Sequence, residues 1–230
     1  MNRKALILDA GGVLVCPLHG DWNIPARYRE LLGDCARDVP GEAYRAACRA
    51  EAALLREDVL LTDVGEEYEK RLQFLKNVAA RMGWTLDGAQ LAALAEDFTY
   101  NPERYDWYVD TRESLSRWQG RARLGMLSDA MPSFRAFLRA LDLERSFDAV
   151  VLSTEVGACK PDPRMYLEIC RRMELAPADC LFVDDRACNL RGAMDCGMAA
   201  VQMCRDGLPA WDGPCVRDLA ELNAYWEGLI

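Results

Sequence analysis

Four short polar segments of this chain contain residue types that could carry out chemistry. In chain order they are Asp9, Ser128-Asp129, Lys160-Pro161 and Asp184-Asp185. A carboxylate can act as a nucleophile that divides a hydrolysis into two steps through a covalent intermediate, and Asp9, close to Gly11-Gly12, is the candidate. The only histidine is His19, so the usual Ser-His-Asp and Cys-His arrangements are excluded. Hydrolysis by this chain therefore requires a carboxylate nucleophile.

Each of these segments follows an apolar run that predicts a buried strand. The runs are Lys4 to Asp9, Ala122 to Leu127, Phe147 to Leu152 and Cys180 to Val183, with a further run at Ala199 to Met203. Amphipathic stretches typical of helices lie between them, at Pro132 to Leu141, Pro163 to Met173 and Arg186 to Cys196. This alternation indicates an open parallel sheet covered by helices. Since ligands bind beyond the carboxyl ends of the strands in such a sheet, the polar segments are expected to converge on one pocket.

The part of the chain after the first strand has a different pattern. From Ile24 to Asp97, Ala, Leu, Glu and Arg dominate at helical spacing, which predicts four helices and no strand. We therefore predict an α/β fold with a Rossmann-like parallel-sheet core over residues 1–17 and 101–230, and a small all-helical inserted domain over residues 18–100. The length of 230 residues and the 51% hydrophobic content allow one sizeable core with such an insert.

Composition restricts the compartment and the partners. The net charge of −9 argues against a nucleic-acid partner, because such binding usually needs a basic face. No apolar run approaches the ~18 residues of a membrane span, and Asp9 interrupts the region where a signal peptide would be apolar. We expect a soluble, cytoplasmic protein without a membrane partner. None of the ten cysteines forms Cys-x-x-Cys, so those recurring from Cys180 to Cys204 are interpreted as small buried apolar residues rather than zinc ligands.

Taken together, the polar segments resemble the motifs of the haloacid dehalogenase (HAD) superfamily, in the same order and spacing. The matching stretches are LILDAGGVL, LGMLSDA, GACKPDPRMY and LFVDDRACNLRGAMDCGM. The last two are the most specific, since Lys-Pro-Asp-Pro before a helix and Asp-Asp followed by Asn189 and Gly192-Ala193 seldom occur together. The helical insert resembles the cap of the subgroup in which the cap follows the first motif. The resemblance covers nearly the whole chain and implies a HAD-like hydrolase.

The resemblance also implies a metal site and a reaction. It implies a magnesium-dependent phosphatase that acts on a small phosphorylated metabolite through an aspartyl-phosphate on Asp9. Mg²⁺ would be bound by Asp9, the backbone carbonyl of Gly11 and Asp185, with Asp184 either a ligand or a partner through water. The pair Asp184-Asp185 could instead cap the following helix, and both interpretations can hold.

A phosphate site is the second implication of the resemblance. Lys160 would be catalytic, because its ammonium compensates the charge of both the phosphate and the nucleophile. Ser128, Asp129 and Gly11 would complete the phosphate site. Asp129 stands where the family often has Asn, so it adds negative charge if it points inward. The pattern from Ile24 to Asp97 predicts no particular substrate, and oligomeric state is not predicted.

Gly11 is the main departure from the family's phosphatases, which carry a second aspartate at this position. That aspartate protonates the leaving alcohol and later activates water, a contribution of typically ~10²–10⁴ in rate. Aryl and acyl phosphates, whose leaving groups need no proton, should suffer least from its loss. Two alternatives stay open. The first is a 2-haloacid dehalogenase, which also lacks this aspartate, although dehalogenases work without metal and typically alter the acidic pair of the fourth motif. The second is a non-catalytic phosphate-binding homologue, which would keep Asp9, Ser128, Lys160 and the acidic pair.

Overall fold

The computed structural model describes residues 4–56, 61, 63–205, 207 and 211–229. These residues form two units. One, which we call the sheet unit, comprises the described residues of Met1–Cys16, Trp107–Ala130 and Leu138–Ile230. The other, the helical unit, comprises those of Pro17–Asp106 and Met131–Phe137.

The secondary structure alternates between strands and helices in most of the sheet unit. The strands are β1 (Ala5–Leu8), β2 (Val15–Pro17), β3 (Tyr105–Trp107), β4 (Arg123–Ser128), β5 (Ala149–Leu152), β6 (Cys180–Asp184), β7 (Ala199–Met203) and β8 (Cys215–Val216). The α-helices are α1 (Tyr28–Leu32), α2 (Glu42–Arg56), α3 (Val64–Met82), α4 (Gly88–Tyr100), α5 (Thr111–Trp118), α6 (Ser133–Ala140), α7 (Ser153–Val156), α8 (Pro163–Met173), α9 (Ala187–Asp195) and α10 (Leu219–Glu227). The predicted alternation after residue 110 is confirmed.

The main sheet has six strands in the order β5-β4-β1-β6-β7-β8, and every neighbouring pair is parallel. All residues of β1, β5 and β6 are buried, as expected for apolar strands covered on both faces. This confirms the predicted α/β class. The register aligns Leu8 with Met126 of β4 and with Val183 of β6. Polar residues that directly follow these strands therefore meet at one edge of the sheet.

Helix α8 shows how the sheet is covered. It begins at Pro163, where Asp162 caps it by accepting a hydrogen bond from the backbone N–H of Arg164. The apolar residues that recur at helical spacing along α8 are buried. Gly125 of β4 permits close packing, because a side-chain carbon there would lie 2.8 Å from Met173 Sδ. The helix predicted at Pro163 to Met173 is thus confirmed.

The helical unit contains α1 to α4 and a 3-10 helix at Gly33–Asp38. Helix α3 begins after the capping residue Asp63 and ends at Gly83, whose backbone is left-handed. Helix α4 begins after Asp87, which forms a reciprocal capping pair with Gln90. The core of the unit includes the buried rings of Phe74 and Phe98. The four α-helices predicted between Ile24 and Asp97 are present, and the structure adds the 3-10 helix.

The unit boundaries differ from the predicted domain boundaries at Pro17 and at residues 101–106 and 131–137, which lie with the helical unit. Arg104 is buried and stacks on the Phe98 ring at 4.6 Å. Ser133 donates its backbone N–H and its hydroxyl to the buried carboxylate of Glu67, at 2.8 and 2.7 Å. The contact between Ser133 and Glu67 joins residues 66 positions apart, so hydrophobic periodicity does not indicate it. The interpretation of the helical unit as a cap domain stays a prediction.

Candidate functional site

Three strands deliver polar residues to one edge of the main sheet. Asp9 follows β1, and its backbone N–H donates to the carbonyl of Val183 at 2.9 Å. Ser128 and Asp184 are the last residues of β4 and β6. All three are buried. The predicted convergence of strand ends is observed, and every residue of this site lies within the sheet unit.

Lys160 is the only ammonium among the residues that meet at this edge in the described part of the chain. It is 5% exposed and follows the short helix α7, in a region where the sequence predicts only a loop. Its Nζ lies 2.8 Å from Asp9 Oδ1, 2.7 Å from Asp184 Oδ2 and 3.1 Å from the carbonyl of Leu127. Burial alone would lower the pKa of Lys160, but the surrounding carboxylates outweigh burial and raise it. Lys160 is therefore fixed between two aspartates that favour its charged form.

Asp184 has both carboxylate oxygens engaged by protein donors. Oδ1 accepts from the backbone N–H of Arg186 at 2.8 Å, and Oδ2 accepts from Lys160 Nζ at 2.7 Å. The side-chain amide of Asn189 lies 3.1 and 3.0 Å from the two oxygens. Helix α9 has Arg186 at its N-cap and no side-chain cap hydrogen bond, so the expectation that the acidic pair caps this helix is wrong. In this arrangement Asp184 orients Lys160.

Asp9 and Asp185 are the carboxylates with capacity for a further partner. One ligand oxygen each of Asp9, Asp184 and Asp185 lies within 4.8 Å of the others, a spacing that could hold a metal ion. Asp9 Oδ1 is buried and near the ammonium, yet within the described residues no donor reaches it in hydrogen-bonding geometry. Asp185 is exposed. This oxygen-only donor set fits a hard cation such as Mg²⁺.

The pKa values of these two acids reflect crowding of negative charge. Burial raises the pKa of Asp9 to about 7, with the ammonium of Lys160 opposing and the charge of Asp184 adding to the rise. Desolvation and the neighbouring Asp184 raise the pKa of Asp185 to about 6. A cation placed between them would favour the ionised form of both.

The turn after Asp9 contains two adjacent glycines with different roles. Gly12 has a left-handed backbone with φ of 72°, and a side-chain carbon there would lie 2.7 Å from Asp185 Oδ2. Gly11 is not among the described glycines with positive φ, and it forms a bridge to Val15. Gly12 therefore permits the close approach of Asp185, a role that the motif match did not assign.

Ser128 and Asp129 follow one another at the end of β4. Ser128 is 4% exposed. Asp129 is half-buried, and its Oδ1 accepts a hydrogen bond from the backbone N–H of Lys160 at 2.9 Å. Burial raises the pKa of Asp129 despite the opposing charge of Lys160. The observed contact makes Asp129 a support for Lys160, while its predicted role in binding phosphate stays a prediction.

Two supporting residues receive no role from the sequence alone. Asn189 is part of the fourth motif, which assigns it no contact. Gln202 is 3% exposed in β7 and donates its side-chain amide to the backbone carbonyl of Asp185 at 2.9 Å. A polar residue within the apolar run Ala199 to Met203 is the signal that could have identified it. Both residues hold the acidic pair in place.

The remaining histidine and cysteines lie apart from this chemistry. The Nε2 of His19, in the helical unit, lies 2.8 Å from the carbonyl of Ala26. All ten cysteines are free thiols. Cys180 is buried as expected, but Cys188, Cys196 and Cys204 are only half-buried, so the expectation of burial is wrong for these three. Among the described residues, no helix is both long and apolar enough to cross a membrane.

Comparisons with known sequences agree with the motifs. The sequence model of the haloacid dehalogenase-like hydrolases matches residues 3–197. The phosphorylated carbohydrates phosphatase of Thermotoga maritima is 33% identical over 206 residues, which cover 86% of this chain and 83% of that protein. Phosphatase MT3486 of Mycobacterium tuberculosis is 36% identical over 124 residues, covering 53% of this chain and 56% of that protein. The (S)-2-haloacid dehalogenase 4A of Burkholderia cepacia is 31% identical over 104 residues, 44% of this chain and 45% of that protein. The matches thus span about half the length of the last two relatives.

Solved structures share the fold. The HAD-hydrolase YfnB from Bacillus subtilis, solved bound to magnesium, superposes with a TM-score of 0.70 at 19% identity and covers 98% of this chain and 99% of that one. L-2-haloacid dehalogenase from Xanthobacter autotrophicus gives a TM-score of 0.67 at 21% identity over 99% of this chain and 100% of that one. At these identities the likeness concerns the fold alone. The match of the sequence model over most of the chain, with the Thermotoga relative, shows that this chain belongs to the haloacid dehalogenase-like hydrolase family.

Proposed function

We propose that the chain is a magnesium-dependent phosphatase that acts on a small phosphorylated metabolite, with Asp9 as the nucleophile. The observation that carries the proposal is the position of Lys160 Nζ, 2.8 Å from Asp9 Oδ1 and 2.7 Å from Asp184 Oδ2, beside the exposed carboxylate of Asp185. This geometry combines a nucleophile, a fixed positive charge and a cation-binding acid at one strand edge. The phosphatase relatives support the same reaction class.

Charge balance favours a bound cation. Asp9, Asp184 and Asp185 cluster around a single ammonium, so the site carries excess negative charge when all three are ionised. A phosphate dianion could not approach such a site without further positive charge. We infer that Asp9, Asp185 and the backbone carbonyl of Gly11 hold Mg²⁺, and that Asp184, saturated by protein donors, positions Lys160 instead of binding the ion. The bound ion would neutralise the repulsion between the carboxylate and the phosphate.

The chain's own residues account for a two-step transfer. An oxygen of Asp9 attacks phosphorus, forming an aspartyl-phosphate as the bond from phosphorus to the leaving oxygen breaks. Lys160 and the Ser128 hydroxyl stabilise the negative charge on the transferring oxygens. Water then attacks the phosphorus, which releases inorganic phosphate and regenerates the Asp9 carboxylate. Asp9 must be ionised at the start, and Lys160 favours that form.

Gly11 determines which phosphates suit this site. No side chain at position 11 can protonate the leaving oxygen, so the leaving group departs as an anion or takes its proton from solvent or from the substrate. Aryl and acyl phosphates leave readily as anions. We therefore propose that substrates with acidic leaving groups react fastest.

A haloacid dehalogenase is the second candidate, and Gly11 is the observation that favours it, because halide departs without a proton. Dehalogenase relatives and structures are also among the matches. Against it stands the intact acidic pair. Without a cation, Asp185 would add repulsion beside a nucleophilic carboxylate and serve no purpose in halide displacement. The phosphatase hypothesis accounts for Asp185, whereas the dehalogenase hypothesis does not.

Turnover measurements separate these candidates. We expect the chain to hydrolyse an aryl phosphate with Mg²⁺, to lose this activity with a chelator, and to leave 2-haloacids intact. Asp9→Asn should reduce turnover by ~10³-fold or more, as expected for removal of a nucleophile. The control Asp142→Asn alters an exposed aspartate paired with Arg145 and should have little effect. Metal-independent release of halide would overturn the proposal, and phosphate-dependent stabilisation without any turnover would identify a binding protein.

The helical unit and the compartment complete the proposal. We propose that the helical unit is the cap domain and that its side chains select the metabolite, as in family members whose cap follows the first motif. We also propose a cytoplasmic location without a nucleic-acid or membrane partner; the net charge of −9 supports the absence of a nucleic-acid partner.

A further inference from the structure

The turn formed by residues 10–15, which we call the Asp9 turn, is held by side chains outside the four motifs. Within the turn, the backbone N–H groups of Leu14 and Val15 both donate to the carbonyl of Ala10, at 2.8 and 2.9 Å. The carbonyls of Val13 and Leu14 take no part in these two bonds and need other donors. Those donors come from the far end of the chain and from the start of α5.

Arg205 supplies the donors for Val13. Its Nη2 and Nε lie 2.7 and 3.2 Å from the Val13 carbonyl oxygen, although the two residues are 192 positions apart. The side chain of Arg205 is 10% exposed. A guanidinium that makes a paired contact with one carbonyl has little freedom to move, since its donors form a rigid fork. Arg205 lies beyond residues 3–197, the part that matches the family model.

Arg205 is itself fixed by two neighbours. Asp110 accepts from Nη2 at 3.0 Å and from Nη1 at 3.2 Å, and it also accepts from the backbone N–H of Leu219 at 2.8 Å. The guanidinium carbon lies 3.8 Å from the centre of the Tyr108 ring, within the range of a cation–π contact. The guanidinium is therefore held at its edge by the carboxylate of Asp110 and at its face by the ring of Tyr108. Charge-assisted bonds in such a half-buried setting are stronger than neutral ones.

The Leu14 carbonyl has a second set of donors from the same region. The backbone N–H of Tyr108 and the hydroxyl of Thr111 donate to it, at 3.2 and 2.8 Å. Thr111 is fully buried. Consecutive carbonyls of the Asp9 turn are thus bonded to one rigid cluster of Tyr108, Asp110, Thr111 and Arg205.

We propose that Arg205, braced by Asp110, is a positioning residue of the active site that sets where the Asp9 turn lies relative to Asp185. Val13 is adjacent to Gly12, whose α-carbon approaches Asp185 so closely that an added side-chain carbon would lie 2.7 Å from its Oδ2. The same turn carries the Gly11 carbonyl. A shift of the turn at Val13 therefore changes the separation of the groups proposed to hold Mg²⁺. This inference rests on the proposed function for its catalytic consequence.

The test compares Arg205→Gln with Arg205→Lys and with a control. Arg145→Gln is the control, because Arg145 is exposed and pairs with Asp142 before β5, at the opposite end of the strands from the site. In metal-free protein, hydrogen exchange of the Leu14 and Val15 amides reports the turn directly. Titration with Mg²⁺ alone reports the ion site, and kcat and KM for an aryl phosphate report the chemistry.

We expect exchange of both amides to be at least ~10-fold faster in Arg205→Gln, because the turn opens locally once the guanidinium is removed. The Kd for Mg²⁺ should rise ~10-fold, and kcat should fall ~10–100-fold with little change in KM, as misplacement of reacting groups predicts. Arg205→Lys, which keeps the charge and one donor nitrogen, should recover part of each effect. Arg145→Gln should match the wild type.

Exchange rates and Mg²⁺ affinity of Arg205→Gln equal to those of the control would overturn the inference. If Arg205→Gln does not fold, Asp110→Asn is the deciding variant, because it loosens the guanidinium while leaving the bonds to Val13 possible. Smaller changes in amide exchange and in Mg²⁺ affinity, in the same direction, would support the inference. Unchanged exchange rates and Mg²⁺ affinity would refute it. Absence of Mg²⁺-dependent turnover in the wild-type protein would refute the proposed function instead. Hydrogen exchange of the Leu14 and Val15 amides in the metal-free protein would still decide whether Arg205 holds the Asp9 turn.

Discussion

Asn189 places its side-chain amide nitrogen 3.1 and 3.0 Å from the two carboxylate oxygens of Asp184. Asn189 is 1% exposed and Asp184 is fully buried. A buried carboxylate that loses a donor is costly, because no water replaces the bond. Asn189 therefore stabilises the anion that orients Lys160.

We expect Asn189→Leu, which keeps the size but removes the donors, to lower the free energy of unfolding by about 1–3 kcal/mol. Urea denaturation at neutral pH measures this loss. Asn77→Leu is the matched control, since Asn77 donates to Glu51 from a half-buried position in the helical unit. A free energy of unfolding for Asn189→Leu equal to that of the wild type would show that Asp184 does not depend on Asn189.

Gly12→Ala should weaken Mg²⁺ binding in addition to straining the backbone. A left-handed residue with a side chain costs about 1–2 kcal/mol, and here the added carbon would also meet Asp185 Oδ2 at 2.7 Å. Gly20→Ala separates these effects, because Gly20 has φ of 73° but nothing within 4 Å of the added carbon. Calorimetric titration should show a raised Kd for Gly12→Ala alone. A similar Kd for the two variants would mean that Asp185 tolerates the contact.

Mg²⁺ affinity should fall as the pH is lowered from 8 to 5. Burial raises the pKa of Asp9 to about 7, and desolvation raises that of Asp185 to about 6. Protons and the cation compete for the same oxygens, so affinity is highest above pH 7 and declines as each acid protonates. Titrations at several pH values measure this dependence, and Asp185→Asn should remove the part centred near pH 6. An affinity independent of pH across this window would show that neither acid takes up a proton there in the metal-free protein.

Gly11→Asp should raise activity on alkyl phosphates more than on aryl phosphates. An aspartate here could protonate an alkoxide leaving group, a contribution of typically ~10²–10⁴ in rate. Gly11 is not among the described glycines with left-handed φ, so the backbone does not oppose the side chain in the way it would at Gly12. Steady-state kinetics on a matched pair of alkyl and aryl phosphates measure the ratio. Equal gains, or none, would show that protonation of the leaving group does not limit turnover.

Local patterns were sufficient to predict the sheet and the residues that meet at its edge. Apolar runs predicted strands, and parallel strands align their carboxyl ends, so Asp9, Lys160 and Asp184 were expected to come together and do. The roles of these residues in catalysis stay predictions.

The supports of the site could not be predicted in the same way. Arg205 bonds a carbonyl 192 positions away, and Glu67 binds Ser133 across 66 positions. Nothing in the periodicity around either residue indicates its partner, since such pairing depends on tertiary packing. Asp129 illustrates the same limit, because no local pattern indicates its observed bond to the backbone of Lys160.

The stereochemistry at phosphorus tests the central claim most directly. An aryl thiophosphate made chiral at phosphorus with two oxygen isotopes would be hydrolysed with Mg²⁺ in water labelled with the third isotope, and the configuration of the released inorganic thiophosphate determined. Attack by Asp9 followed by attack of water inverts phosphorus at each step, so the account predicts overall retention. Net inversion would mean that water attacks the substrate directly, and it would contradict the role of Asp9 as nucleophile.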